Sequence, residues 1–400
     1  MIMKLCHRAA SFLALLSVAA GALAAAPVYS PREPQREDSN ALIMTAEIAL
    51  RRDNCGRAAD SYAIAAQRLA DVRLAARATE VALDCGQFSV AERTVARWRE
   101  LAPAEPATLH AAMRAQLGLY KIDEARNTFQ TWLRSANTTR EHGAADEITQ
   151  LAQQSGASST FAMVRTVDEQ SLRQPTSQLA LAALAFDNWN YRAALQYAQR
   201  ALGSGAARGA TEALIARAHA GLGEADAALE AAQAARTAAP DEQGFVPVDV
   251  LLTLGREADA RKTLEGLAGN DKLRALAARR LALLAFSRGD YDEAESRFTD
   301  LINDRQAEAV AVFYLSAIAE RRGNDLAALR GYQLLDGTAL EAAARTRAAA
   351  ILYKNNEPDQ ALQMLAAADD ASIAAHLEAE IAQAQLLSAQ GAANEALARI

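Results

Sequence analysis

The 400-residue sequence is poor in the residues that carry catalytic or metal chemistry. It contains five histidines and three cysteines, and no two histidines have the i, i+4 spacing of a helical zinc site. It has no Cys-x-x-Cys pair, no Gly-x-x-x-x-Gly-Lys-Ser/Thr phosphate loop and no Gly-x-Ser-x-Gly elbow. The sequence therefore offers no motif for a zinc centre, a nucleotide site or a serine nucleophile, and we expect no cofactor, metal or catalytic residue.

Basic residues and prolines are also scarce. The formal net charge is −7 and no basic stripe offsets it, which disfavours binding to nucleic acid, because the phosphate backbone attracts basic surfaces. The nine prolines are too few and too scattered for a proline-rich linker between two halves. Partners are thus expected among proteins, with no integral membrane span.

Alanine is abundant instead, and part of it recurs at a fixed interval. Ten alanines follow one another at 32 to 35 residues, apart from one interval of 69, which equals two steps with one position lost: Ala58, Ala91, Ala125, Ala194, Ala228, Ala260, Ala294, Ala328, Ala361 and Ala396. We call them the marker alanines. A period of about 34 residues indicates one supersecondary unit stacked many times.

Apolar residues surround each marker at helical spacing. In the clearest unit Tyr291 precedes Ala294 by three residues, and Phe298 and Leu301 follow it by four and seven. These offsets place the side chains on one face of a helix. A second apolar stretch, residues 273–286, and a short turn with Gly and Asp precede them. Each unit is therefore predicted to be a first helix, a turn and a second helix.

This pattern resembles the tetratricopeptide repeat over roughly residues 41–400. The resemblance implies an all-α fold, a tetratricopeptide-type α-solenoid of helix-turn-helix repeats in a right-handed superhelix. Repeats 1–3 would occupy residues 41–141 and repeats 5–11 residues 175–400, the last one incomplete. Because Ala396 lies only four residues before Ile400, we expect the natural chain to continue.

The missing marker falls in residues 142–174, which are predicted to form a degenerate repeat with Ser159 at the marker position. An inserted loop is the alternative. This segment is the one boundary between domains that the sequence indicates.

The N-terminus has the features of an export signal in residues 1–26. Lys4 and Arg8 form a basic region before an apolar core, Ala9–Ala22, and small residues suited to cleavage follow. An uncleaved signal anchor is the alternative. Residues 27–40 are predicted to be a polar leader, and the exported protein is expected in a bacterial periplasm.

Two cysteines remain after such cleavage. Cys55 lies at the predicted start of a second helix and Cys85 at the end of the next first helix. Because neighbouring helices run antiparallel, these positions are expected to meet, and an oxidising compartment would permit a disulfide. Two buried free thiols are the alternative.

In the repeat family that this chain resembles, the first helices line a concave groove. Projecting the inward positions of that family onto this sequence gives a candidate protein-binding set: Glu47, Arg51, Glu80, His110, Arg114, Phe186, Arg217, Phe245, Asp249, Arg279, Phe313, Arg321 and Tyr353. Arginine and aromatic side chains are frequent anchors in protein interfaces.

The opening repeats narrow the resemblance. Segments such as residues 46–50 and 96–103 look like the start of exported proteobacterial tetratricopeptide proteins, one of which is an adaptor for a carboxy-terminal processing protease. The resemblance implies a non-enzymatic periplasmic scaffold that binds protein partners such as a protease or the cell-wall machinery. A scaffold for exopolysaccharide export or outer-membrane assembly is one alternative. The other is the repeat region of a longer enzyme with its catalytic domain past residue 400.

Overall fold

A computed structural model describes residues 34–135, 143–168, 170–302, 308–366, 373–389, 391–392 and 395–396. The predicted signal peptide and the first residues of the predicted leader lie outside this part, and residues 34–40 of that leader are helical. The regular structure of the described residues is helical throughout. The helices are α1 (Pro34–Leu50), α2 (Cys55–Arg68), α3 (Val72–Asp84), α4 (Phe88–Leu101), α5 (Ala107–Gly118), α6 (Ile122–Ser135), α7 (Ala144–Ser155), α8 (Ala157–Val164), α9 (Pro175–Asp187), α10 (Tyr191–Gly203), α11 (Arg208–Gly221), α12 (Ala225–Ala238), α13 (Val246–Thr253), α14 (Glu257–Leu267), α15 (Arg274–Ser287), α16 (Tyr291–Leu301), α17 (Glu308–Arg321), α18 (Asp325–Gln333), α19 (Glu341–Lys354), α20 (Pro358–Ala366) and α21 (Ile373–Ala389), with a short 3-10 helix at Gln170–Arg173.

The helices are arranged as consecutive hairpins. Odd-numbered helices are the first helices of the repeats and even-numbered ones the second helices. Within the described residues, the stronger helix contacts join helices that are one or two steps apart along the chain. The predicted fold class is confirmed: the protein is all-α and built from tetratricopeptide-type helix-turn-helix repeats.

The marker alanines all lie at the same place in their hairpins. In the nine repeats from Ala58 to Ala361 the marker is the fourth residue of the second helix and has no exposed surface. A methyl group is the largest side chain that such a close helix contact accepts without pushing the backbones apart. The periodic alanines therefore record the contact that closes each hairpin.

The turn inside each hairpin has an equally regular feature. Five residues before each marker the backbone has a positive φ: Asp53, Gly86, Tyr120, Trp189, Gly223, Gly255, Gly289, Gly323, Asn356 and Gly391. Glycine adopts this conformation without steric cost, and Asp and Asn tolerate it. The two aromatic residues are the exceptions, and both side chains are exposed, Tyr120 by 82% and Trp189 by 79%.

The degenerate repeat is a hairpin with a shorter turn. Gly156, at φ 90°, lies directly between α7 and α8, whereas the other hairpins place one further residue between the positive-φ position and the second helix. The fourth residue of α8 is therefore Thr160, which is fully buried, while Ser159 is only half-buried. Thr160 and not Ser159 occupies the place of the marker, because the turn is one residue shorter than the sequence pattern assumes.

The chain divides into two compact units at residues 115 and 116, inside α5. The boundary at residues 142–174 that the sequence indicates stays a prediction.

Candidate binding surface on the first helices

The side chains proposed for binding lie on or next to the first helices. Glu47 is in α1 and Arg51 directly follows it; Glu80 is in α3; His110 and Arg114 are in α5; Phe186 is in α9; Arg217 is in α11; Phe245 precedes α13, which contains Asp249; Arg279 is in α15; Phe313 and Arg321 are in α17; Tyr353 is in α19. We call this set the first-helix surface of each unit: Glu47, Arg51, Glu80, His110 and Arg114 belong to the first unit and the other members to the second. Phe245 is buried, Glu47, Arg51, Glu80, Arg217 and Arg321 are exposed, and the others are half-buried.

Glu47 is engaged by two neighbouring helices. The Tyr62 hydroxyl of α2 donates a hydrogen bond to Glu47, and the Arg77 guanidinium of α3 lies 3.8 Å from the same carboxylate. Arg77 also lies 5.9 Å from the centre of the Tyr62 ring. Burial and the bond to the Glu47 carboxylate raise the pKa of Tyr62 above its ordinary value. The three side chains thus link repeat 1 to repeat 2.

The same arrangement recurs far along the chain, between α17, α18 and α19. The Tyr332 hydroxyl donates a hydrogen bond of 2.8 Å to Glu320, and Arg347 donates two hydrogen bonds of 2.9 Å to the Glu320 carboxylate. Burial and the Glu320 carboxylate raise the pKa of Tyr332 strongly. In both triads the tyrosine is four residues after a marker alanine and the arginine fourteen before the next.

A third inter-repeat link lies between α11, α13 and α15. Asp249 is 3.7 Å from the Arg217 guanidinium and accepts a hydrogen bond of 2.7 Å from Arg280. The Arg280 guanidinium lies 4.5 Å from the centre of the Phe245 ring. The structure therefore brings together three of the predicted binding residues, Arg217, Phe245 and Asp249. Their contacts are with one another and with Arg280.

Other members of the set also contact neighbouring helices. Arg114 pairs with Asp84 at 3.3 Å, the Phe186 ring lies 5.4 Å from Tyr191, and the Phe313 ring lies 5.6 Å from Tyr332. Their side chains hold adjacent helices in place.

Arg51, Arg279 and Arg321 differ from these residues. Among the residues that the structure describes, none of the three takes part in an ion pair, and Arg51 and Arg321 are exposed. Their guanidinium groups keep their donors for solvent or for a bound carboxylate. We call these three residues the open arginines.

The sequence also contained a signal for the residues that our projection missed. Arg77, Arg280 and Arg347 each lie fourteen residues before a marker alanine, and each bonds or faces a carboxylate on the preceding first helix. This recurrence in register with the alanines would have identified the inter-repeat links.

Cys55 and Cys85 form a disulfide. Their Cα atoms lie 5.3 Å apart, Cys55 opens α2 and Cys85 follows the last residue of α3. The bond joins the second helix of repeat 1 to the first helix of repeat 2.

Within the described ranges, no group of three or more His, Cys, Asp or Glu side chains is placed to hold a metal ion. Nor do the helices in these ranges include one with the length and apolar character that crossing a membrane requires.

Comparison with known proteins gives likenesses in structure alone. No protein-family model matches the chain, and no curated protein matches it. Solved structures similar to it include yeast Tom70 (14% identity, TM-score 0.34, 91% of each chain covered) and the human IFIT1 dimer with PPP-AAAA (14% identity, TM-score 0.40, 91% of this chain and 92% of that one). A third is the APC/C heterotetramer Cut9–Hcn1 (12% identity, TM-score 0.36, 87% and 96%).

The TM-scores of these structures lie below 0.5. The fold class therefore rests on the helical hairpins of this chain itself. It is a repeat protein of the tetratricopeptide type.

Proposed function

We propose that this chain is a non-enzymatic scaffold that binds protein partners on the first-helix surface. The observation that carries the proposal is that Arg51, Arg279 and Arg321 stand on that surface without an ion-pair partner among the described residues. Arginine anchors carboxylates and aromatic rings of a partner through its planar, five-donor guanidinium. A stack of hairpins repeats such anchors at intervals, which suits an extended or helical partner.

The inter-repeat links support the same role. The Glu47, Asp249 and Glu320 carboxylates are each shared between successive first helices, so the backbone that presents the open arginines is held in place. A preorganised surface binds more tightly, since less conformational entropy is lost when the partner docks.

The scaffold is further proposed to work in a bacterial periplasm. The export signal in residues 1–26 and the disulfide between Cys55 and Cys85 support this location, because disulfides persist in oxidising compartments. There it would hold a protease or the cell-wall machinery together with other proteins, as does the adaptor that the opening repeats resemble.

A pair of crosslinking positions in one repeat tests the binding surface. A photo-crosslinking amino acid is placed at Arg321 on α17 or at Arg330 on α18, which is also exposed but belongs to a second helix. In cells of the native source we expect Arg321 to capture one defined protein and Arg330 not to capture it. Capture at both positions, or at neither, contradicts the proposal.

The captured protein is then purified and its dissociation constant measured. Arg321→Glu and Arg279→Glu are each expected to weaken binding about tenfold or more, which corresponds to the loss of one interface anchor. Arg330→Glu serves as the matched control and should leave affinity unchanged. Equal affinities for all three variants would show that the partner binds elsewhere.

Location has its own test. Mass spectrometry of the protein from fractionated cells should find an N-terminus within residues 25–27 in the periplasmic fraction. Recovery of the uncleaved chain from the cytoplasm would contradict export without affecting the binding surface.

A further inference from the structure

A cavity of about 400 Å³ lies where the degenerate repeat meets the regular ones. Helix α8 has only eight residues, and the chain then passes through a turn and the 3-10 helix before α9 begins. The cavity is lined by the end of α8, this irregular segment, α9 and α10. The cavity is separate from the first-helix surface described above.

One residue of the cavity wall, Gln178, carries a buried hydrogen-bond acceptor without a partner among the described residues. Gln178 is only 6% exposed, and its Nε2 donates a hydrogen bond of 2.6 Å to the Leu172 carbonyl. Its Oε1 is buried and has no partner among the described residues. A buried polar atom without a hydrogen bond costs free energy, so this oxygen favours a ligand that brings an N–H donor.

The lining of the cavity carries positive charge on a protein that is acidic overall. Three arginines and one aspartate line it. Asp168 pairs with Arg173 at 2.8 Å, while Arg165 and Arg200 belong to no ion pair of the described residues. Arg200 is steadied by the Tyr197 ring, whose centre lies 5.6 Å from its guanidinium. The two arginines therefore favour a negatively charged group in the cavity.

Apolar side chains complete the wall. Val164, Leu172 and Leu181 line the cavity beside Gln178. Such a mixture of apolar wall and few polar groups is typical of small-molecule and peptide sites, and 400 Å³ lies within their usual range.

We propose that this cavity binds the C-terminal end of a peptide whose last residue is apolar. The terminal carboxylate would lie between Arg165 and Arg200, the last side chain against Val164 and Leu181, and a peptide N–H would donate to Gln178 Oε1. A free peptide C-terminus combines an anion, an N–H donor and an apolar side chain within one or two residues. An inorganic anion supplies only the first of these, and an apolar molecule only the last.

The probe is the tripeptide acetyl-Ala-Ala-Leu, titrated calorimetrically into the full chain. The form with a free carboxylate is expected to bind, and the form with a C-terminal amide to bind at least tenfold more weakly. Inorganic phosphate is titrated in parallel and should bind more weakly than the free acid. Equal affinity of acid and amide, absence of binding by the acid, or phosphate as tight as the acid would overturn the proposal.

Variants locate the site. Arg200→Met and Arg165→Met should each weaken binding of the free acid about fivefold or more. They should also reduce the ratio between the affinity of the acid form and that of the amide form. Arg192→Met is the matched control, since Arg192 is an exposed arginine of the same helix α10 that does not line the cavity; it should bind as the wild type does. An unchanged affinity in Arg200→Met and Arg165→Met would place the peptide elsewhere.

Gln178→Leu tests the buried acceptor. Circular dichroism first establishes that its helix content and melting match the wild type, because the change also removes the bond to Leu172. The folded variant should bind the peptide acid at least threefold more weakly and bind phosphate as before. An unaltered peptide affinity would remove Gln178 from the site, and if the variant does not fold, the arginine variants alone decide.

Discussion

Arg347 of one repeat holds Glu320 of the preceding repeat through two hydrogen bonds of 2.9 Å, from Nε and Nη2 to the two carboxylate oxygens. Tyr332, on the second helix between them, donates to the same carboxylate. The relationship repeats that of Arg77, Tyr62 and Glu47 in the first two repeats. Two distant pairs of repeats are thus joined by the same three residue types.

Removing one member of this link should destabilise the repeats that it joins. Arg347→Met is expected to lower the free energy of unfolding by about 1–3 kcal/mol, since it leaves a half-buried carboxylate without its charged donor. In a double-mutant cycle with Glu320→Gln the coupling energy should be about 0.5–3 kcal/mol. Urea denaturation measures both values. Arg330→Met, an exposed arginine in the same unit, is the control, and a coupling energy near zero would show that the pair contributes nothing.

The Tyr332 hydroxyl predicts a loss of stability in alkali. Its pKa is raised in the folded protein, so the unfolded chain releases this proton near pH 10 while the folded chain keeps it. The stabilising effect is complete below the unfolded pKa and declines as pH rises above it. The wild type should therefore lose more stability between pH 9 and 11 than Tyr332→Phe. Parallel curves for the two proteins would contradict this account.

Reduction of the disulfide should loosen repeats 1 and 2. The bond closes a loop across 30 residues of sequence, and the chain-entropy model assigns such a loop roughly 3–4 kcal/mol. Hydrogen exchange in α2 and α3 should accelerate on adding a reductant, and exchange in α15 and α16 should not. The double variant Cys55→Ser, Cys85→Ser should show the exchange rates of the reduced protein, and adding a reductant should not change them. Identical exchange before and after reduction would mean that the bond adds no stability.

Gly331 marks a close approach between α17 and α18. A Cβ added there would overlap Ser316 Oγ and lie 3.1 Å from Ser316 Cβ. Gly331→Ala is therefore expected to lower the free energy of unfolding by about 1–3 kcal/mol, a typical effect of overpacking. Adding Ser316→Ala removes the overlapping oxygen and should restore part of the loss. Denaturation curves of the three proteins measure this.

Gly266 provides the opposite case within α14. A Cβ at this position would meet no atom within 4 Å, and alanine is the better helix former by up to about 1 kcal/mol. Gly266→Ala should leave stability unchanged or raise it. If both glycine variants lose the same stability, the steric argument at Gly331 is wrong.

The hairpins were predictable because one physical constraint repeats. Each second helix must lie close to its neighbours, so a small residue recurs wherever the contact does, and the marker alanines from Ala58 to Ala361 are fully buried. Trp98 and Trp132, which lie on second helices, are likewise buried. The predicted marker position was wrong by one residue in the degenerate repeat, because the turn before α8 is one residue shorter; Thr160 takes the place predicted for Ser159.

The candidate surface was less predictable, because sequence position fixes the face of a helix but not the partner of a side chain. Glu47, Arg217 and Asp249 lie on first helices as projected, yet their long or charged side chains reach groups on adjacent repeats. The cavity beside Gln178 escaped prediction altogether. It arises from a shortened helix and an irregular segment, for which no periodic pattern exists.

Because each hairpin packs on its nearest neighbours, whole repeats can in principle be removed or added as units. Gly255 and Gly289 occupy equivalent turn positions and are 34 residues apart. In a chain that lacks residues 256–289, Gly255 would be followed by Asp290, and the same left-handed turn would connect α13 to α16. Ala294 would then occupy the marker position that Ala260 holds in the full chain. Genetic loss or gain of such a segment would change the length of the array and the number of binding positions while preserving every remaining register.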